Sequence, residues 1–206
     1  MKLLIEVGAF DGKDSLKYHS NGYKVFTFEP KKDLFEDLSN RTKELENYTV
    51  INKAVCKTNG KTIFNICRNG GASSILEFKS KDELIKNWGE NRKDLHFANI
   101  SYEVETIRLD TFLEEYKLEN TMIDFLHIDA QGVDLEVLES LGDYIQNVIE
   151  GVVETVKDKE KSIYVNQNEN TYDNVKKFLE KNNFKITKVK SNDKTGCEFN
   201  VFFKQI

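Results

Sequence analysis

Acidic residues and glycines carry the chemistry this chain can do. Glu6-Val7-Gly8-Ala9-Phe10-Asp11-Gly12 sets a carboxylate before a turn with two glycines. A short apolar segment precedes the turn and a helix pattern follows from about Asp14. Glu29-Pro30 closes a second apolar segment, roughly 20 residues on, the spacing at which an acidic side chain meets a nucleoside ribose. Glu6, Glu29, Asn52, Asp129 and Glu154 all fall at the ends of expected strands. In an open α/β sheet such ends share one rim, where ligands bind.

The loop chemistry separates candidate cofactors. A dinucleotide site wants a third glycine so that backbone can approach a pyrophosphate. Here Glu6 and Asp11 flank the turn. They would repel a pyrophosphate but attract a ligand bearing an ammonium and a sulfonium. S-adenosylmethionine is such a ligand. Its carboxylate suits the helix start around Asp14 and Ser15, and Glu29 can accept both ribose hydroxyls. An ordinary turn and a solvated carboxylate explain either feature alone.

The elements that must hold these residues alternate in type. Strands are expected over 2–7, 23–28, 49–55, 61–67, 103–108, 122–128, 148–156, 184–189 and 199–203. Helical stripes lie between, with Thr171 capping one helix and Asn183 as a left-handed C-cap. Asn59-Gly60 reads as a hairpin-type turn, and residues 79–99 as a charged helical insert bearing Trp88, Arg92 and His96. Alternation ending in a strand pair implies an α/β fold with a mostly parallel sheet and one antiparallel strand.

Bulk properties narrow the class. A chain of 206 residues suits one domain spanning 1–206, with an acceptor-side insert at about 79–103. Net charge is −5, without a long basic run, which argues against nucleic acid as primary partner. No apolar run reaches membrane-spanning length and no signal peptide opens the chain, so a cytoplasmic location is expected. Cys56, Cys67 and Cys197 read as reduced, unclustered thiols.

Six segments, in order, resemble one family, the FkbM-type S-adenosylmethionine-dependent O-methyltransferases. They are 6–12, Thr27-Phe28-Glu29-Pro30, Asn52-Lys53-Ala54-Val55 with Gly60, Ala72-Ser73-Ser74, Val104 to Asp110, and His127-Ile128-Asp129-Ala130-Gln131-Gly132 with Leu135 to Leu138. The resemblance implies a Rossmann-like methyltransferase fold: a mostly parallel seven-stranded sheet with one antiparallel strand and helices on both faces. It implies that Glu6, Gly8, Ala9, Asp11 and Gly12 line the methionine part of the cofactor. Glu29 would hold the ribose, with Phe28 and Pro30 beside it among the cofactor-binding residues, and Asn52, Lys53 and Ala54 would border the adenine. Asp129 and Gln131 would lie beside the transferred methyl group. The chain departs from the family where His127 replaces a usual lysine, Phe10 a usual Asn, and Asn183 a usual Gly. It also begins at its first strand, without the N-terminal helices that many methyltransferases use as a lid.

The implied chemistry is methyl transfer to a hydroxyl of a sugar, nucleotide sugar or glycan precursor. Asp129 is the first candidate base, although a helix N-cap also explains it. His127 is a second base or an orienting partner, or else a core histidine. Glu154 anchors acceptor hydroxyls or is a solvated carboxylate. Ser73 and Ser74 bond cofactor or acceptor, or close a polar turn. A divalent cation at Asp129, Glu154 and His127 is compatible with these types, but the spacing does not demand one, and no metal is expected. A homodimer is also compatible. The rivals are an NAD-dependent sugar-modifying oxidoreductase, disfavoured by the acidic loop, and a non-catalytic methyltransferase-fold binding subunit.

Overall fold

The computed structural model describes residues 1–68, 71–88, 97–167, 169–193 and 196–206. The opening apolar run forms β1 (Lys2–Val7), buried on both faces beyond its first residue, as expected at the centre of a parallel sheet. It pairs in parallel with β2 (Tyr23–Phe28) on one side and β7 (Phe125–Ile128) on the other. The seven-stranded sheet runs β3-β2-β1-β7-β8-β10-β9, with β3 at Tyr48–Ile51, β8 at Glu150–Val156, β9 at Phe184–Ser191 and β10 at Glu198–Gln205. Only β10 is reversed, antiparallel to both β8 and β9. The short 192–197 connection explains this, since a parallel pair would need a long crossover.

Helices cover both faces. Leu4, Val25 and Phe125 point to the side of α1 (Lys13–Ser20), where they meet Leu16 and Tyr18. Leu3, Ile5, Phe26 and Phe28 point the other way. There they join the largest core with α4 (Leu109–Glu115), α5 (Asp134–Glu139) and α6 (Tyr172–Lys181). α2 (Lys32–Thr42) connects β2 to β3. Asn183 stands just beyond α6 with φ of 64°, the left-handed cap expected of it.

A second sheet, β4-β6-β5, stands beside the rim. Three expectations change here. The strand expected over 49–55 is two: β3 ends at Ile51, and β4 (Ala54–Val55) leaves the main sheet to pair with β6 (Phe97–Ile107). Asn59-Gly60 does not close a hairpin, because β6 lies between β4 and β5 (Gly60–Cys67). Of the supposed insert, α3 occupies only Lys81–Trp88, and residues 97–103 already belong to β6. Pairing with β5, out to Cys67 opposite Phe97, extends that strand beyond its own alternating pattern. Arg92, His96 and the Trp88 side chain lie outside the described residues.

Candidate active site

The first turn is shaped by close backbone approach. Gly8 has φ of 86°, and a Cβ there would lie 1.9 Å from the Asp129 carbonyl oxygen, so only glycine lets the loops after β1 and β7 touch. Four of the amides of residues 8–12 are spent on protein acceptors. Those of Gly8 and Ala9 reach the Phe28 carbonyl at 3.1 and 2.9 Å, and that of Gly12 the Ala9 carbonyl at 2.8 Å. Phe10 N–H donates to Glu29 Oε2 at 2.8 Å, and Lys13 N–H to Asp11 Oδ1 at 3.1 Å.

Between this turn, the β2–α2 loop and the second sheet lies a cleft of about 730 Å³, counted out to open solvent. Its place at the carboxyl ends of the strands is where a sheet of this kind binds small molecules. Leu34, Val55, Phe64 and Ile75 make one side apolar, and Glu29, Lys31, Asp129 and Gln131 supply polar groups. Glu29 is 5 % exposed. Its Oε1 accepts from Lys31 N–H at 2.8 Å, which with Phe10 N–H leaves each carboxyl oxygen one further lone pair. Burial pushes Glu29 up to about 7, against the opposing pull of the two backbone N–H groups.

At the far wall Gln131 ties two carboxyls together. Its amide nitrogen donates to Asp129 Oδ1 at 2.5 Å and to Glu154 Oε2 at 3.0 Å. Its amide oxygen lies 2.8 Å from the Tyr164 hydroxyl, which also reaches the Ala72 carbonyl at 2.9 Å. A flipped amide would set its oxygen against both carboxyls, so the network fixes its orientation. Burial and then the Asp129 charge hold Glu154 well above the usual carboxylate range. The fully buried Asp134 anchors the loop beneath, accepting from Ala130 N–H at 2.6 Å, Gly132 N–H at 3.0 Å and the Asn170 amide at 2.7 Å.

Of the residues singled out in the sequence, Gly8, Phe28, Glu29, Pro30, Lys53, Ala54, Asp129 and Gln131 line the cleft. Others are placed elsewhere by packing. Glu6 points to the α1 face, where it accepts from Thr27 Oγ1 at 2.6 Å and faces His127 Nδ1 at 3.4 Å. Strand register aligns Glu6, Thr27 and His127, so His127 partners Glu6 and does not orient Asp129. Burial pulls the His127 pKa down, but the Glu6 hydrogen bond and charge outweigh it and leave it raised. Ser15 is buried, its hydroxyl on Tyr48 OH at 2.7 Å and the Gly12 carbonyl at 3.2 Å, because α1 turns it inward. Asp11 serves the helix start and Lys13 Nζ at 2.5 Å. Gly12 makes room for Leu38 of α2. Ala9 is buried beside the turn.

Asn52 staples the β2 loop through the Glu29 carbonyl at 2.8 Å. Ser74 binds the Gln131 carbonyl at 2.7 Å, supporting the site from behind. Glu154 reaches the cleft only through Gln131 and also accepts from Asn192. Sequence reasoning missed Tyr164, in an irregular segment without period, and Phe10, Lys31 and Phe64 as lining residues. Among the described residues no cluster of three His, Cys, Asp or Glu is arranged to hold a metal.

Residues 6–186 match the methyltransferase FkbM domain. The chain belongs to the FkbM methyltransferase family. Solved structures agree at the level of fold. A putative tRNA (m1A22) methyltransferase from Streptococcus pneumoniae is 12 % identical with a TM-score of 0.51, over 100 % of this chain and 65 % of that one. Magnesium protoporphyrin IX methyltransferase from Synechocystis PCC 6803, solved with bound SAM, is 8 % identical with a TM-score of 0.51, over 100 % and 70 %. No curated protein matches the sequence. The two structures are named for very different acceptors, so the shared fold does not identify one.

Proposed function

We propose that this FkbM-family chain moves the methyl group of S-adenosylmethionine to a hydroxyl of a sugar, nucleotide sugar or glycan precursor. The observation that carries the donor assignment is the turn itself. The amides of Gly8, Ala9, Phe10 and Gly12 are occupied by protein acceptors, and a buried carboxylate, Glu29, stands at the cleft wall. That arrangement leaves little for a pyrophosphate and suits ribose hydroxyls, which donate to a carboxylate. The residues fit the ligand: Leu34, Val55, Phe64 and Ile75 make an apolar slot for a base, Glu29 meets the ribose, and Asp129 sits at the reacting end.

The bound donor supplies an electrophilic methyl group; the protein positions the acceptor and takes its proton. Asp129 is the base in this reading. Gln131 holds it in place and ties it to the buried Glu154, while Tyr164 fixes Gln131.

Calorimetric titration with S-adenosylmethionine, S-adenosylhomocysteine and NAD tests the donor, repeated on Glu29→Ala. Binding of the two adenosyl ligands, lost in the variant, is the expected result; NAD binding alone would overturn it. Screening nucleotide sugars for methylated product by mass spectrometry then tests the acceptor.

A further inference from the structure

Phe10 bears two costs at once. Its φ of 49° lies in the left-handed region, which glycine and asparagine enter readily and an aromatic residue seldom does. It is also 42 % exposed, at the wall of the cleft. A single exposed hydrophobic needs no explanation, but strain and exposure at one cleft residue do. The backbone conformation aims Phe10 N–H at Glu29 Oε2. Glycine or asparagine would deliver that N–H with less strain, so the hydrogen bond does not account for the ring. Among the described residues, no aromatic ring or cation contacts it.

We propose that the Phe10 ring recognises the sulfonium of the methyl donor, an aromatic face for a positive centre. This rests on the donor site proposed above. In S-adenosylmethionine the sulfur joins the ribose to the amino-acid chain. In that reading Glu29 marks the ribose, and of the turn Gly8 and Phe10 line the cleft next to it, on the amino-acid side, with Phe10 bonding Glu29 through its N–H. A ring there meets a cation before transfer and a neutral thioether after it. It would hold the donor more tightly than the demethylated product and so favour product release.

The test compares affinities for S-adenosylmethionine and S-adenosylhomocysteine by calorimetry. Phe10→Leu keeps apolar bulk and loses the π face. It should weaken S-adenosylmethionine roughly 2- to 30-fold, the range of a cation–π contact, and leave S-adenosylhomocysteine within about twofold. Phe10→Tyr should restore the wild-type ratio. Phe10→Asn should lose the same preference yet raise the melting temperature of the ligand-free protein, because asparagine accepts the left-handed backbone.

Equal weakening of both ligands, no change in either, or failure of Tyr to restore the ratio would overturn the sulfonium role while leaving the donor site standing. An unchanged or lower melting temperature for Phe10→Asn would overturn the strain argument. If the wild-type protein binds neither ligand, this inference falls together with the donor reading.

Discussion

Glu29 sets the pH behaviour of the cleft. Its folded pKa is raised to about 7, so the folded protein holds this proton more tightly than the unfolded chain does. Stability from this group is therefore greatest below the unfolded value and is lost as pH rises through about 7. The full swing is roughly 3 kcal/mol. Glu29→Gln should flatten that part of the stability–pH curve, measured by denaturant unfolding of ligand-free protein between pH 4.5 and 8; an unchanged slope would refute the assignment. Ribose hydroxyls donate to the ionised form, so affinity for S-adenosylhomocysteine should climb as pH rises toward about 7 and level off above it, with proton release on the rising limb visible as a buffer-dependent binding enthalpy. At the other wall, Asp129→Asn should cut turnover by ~10²–10⁴-fold, the usual worth of a general base, while donor affinity holds. Tyr164→Phe should lower turnover less and move its pH profile, because Gln131 loses its anchor.

Turns and strands decide whether those side chains meet. Gly8→Ala drives a Cβ against the Asp129 carbonyl, a rigid backbone neighbour, and should cost at least ~3 kcal/mol. Gly12→Ala meets only the tip of Leu38 and should cost less; chemical denaturation of the pair checks the order. The small sheet roofs the apolar part of the cleft. Phe64 belongs to its own core with Ala54, Ile66 and Val104. Phe64→Ala should cost ~3 kcal/mol and loosen β5 and β6 before the main sheet, as hydrogen exchange would show. At the outer edge, β9 exposes Lys185, Lys188 and Lys190, charges that discourage further strand pairing.

For the molecule as a whole, ligand binding and stability are linked. S-adenosylhomocysteine at ~100 times its dissociation constant should add ~2.7 kcal/mol, or roughly 5–10 °C in melting temperature for a domain of this size. Glu29→Ala should abolish the shift, and a shift that survived it would place the ligand elsewhere. Among the described residues no helix is long and apolar enough to cross a membrane. The buried thiols of Cys56, Cys67 and Cys197 agree with the unclustered pattern of the sequence.

The sequence by itself determined the main sheet, its reversed strand, the glycine turn and the carboxylates Glu29 and Asp129. Each follows from local rules: unbroken apolar runs for buried strands, glycine where φ is positive, acidic residues at strand ends. Only the tertiary structure decided which polar residues share the cleft. Glu6 and Glu29 both lie near strand ends, yet Glu6 sits within β1 and the pleat turns it to the α1 face toward His127, whereas Glu29 lies past β2 in the loop. Ser15 faced inward because of helix phase, and β4 left the main sheet because β6 offered it a partner. Tyr164 entered the site from an irregular segment far along the chain, and Phe10 became notable only once its backbone angle was known. Such features depend on which distant segments come into contact, and local pattern does not encode that.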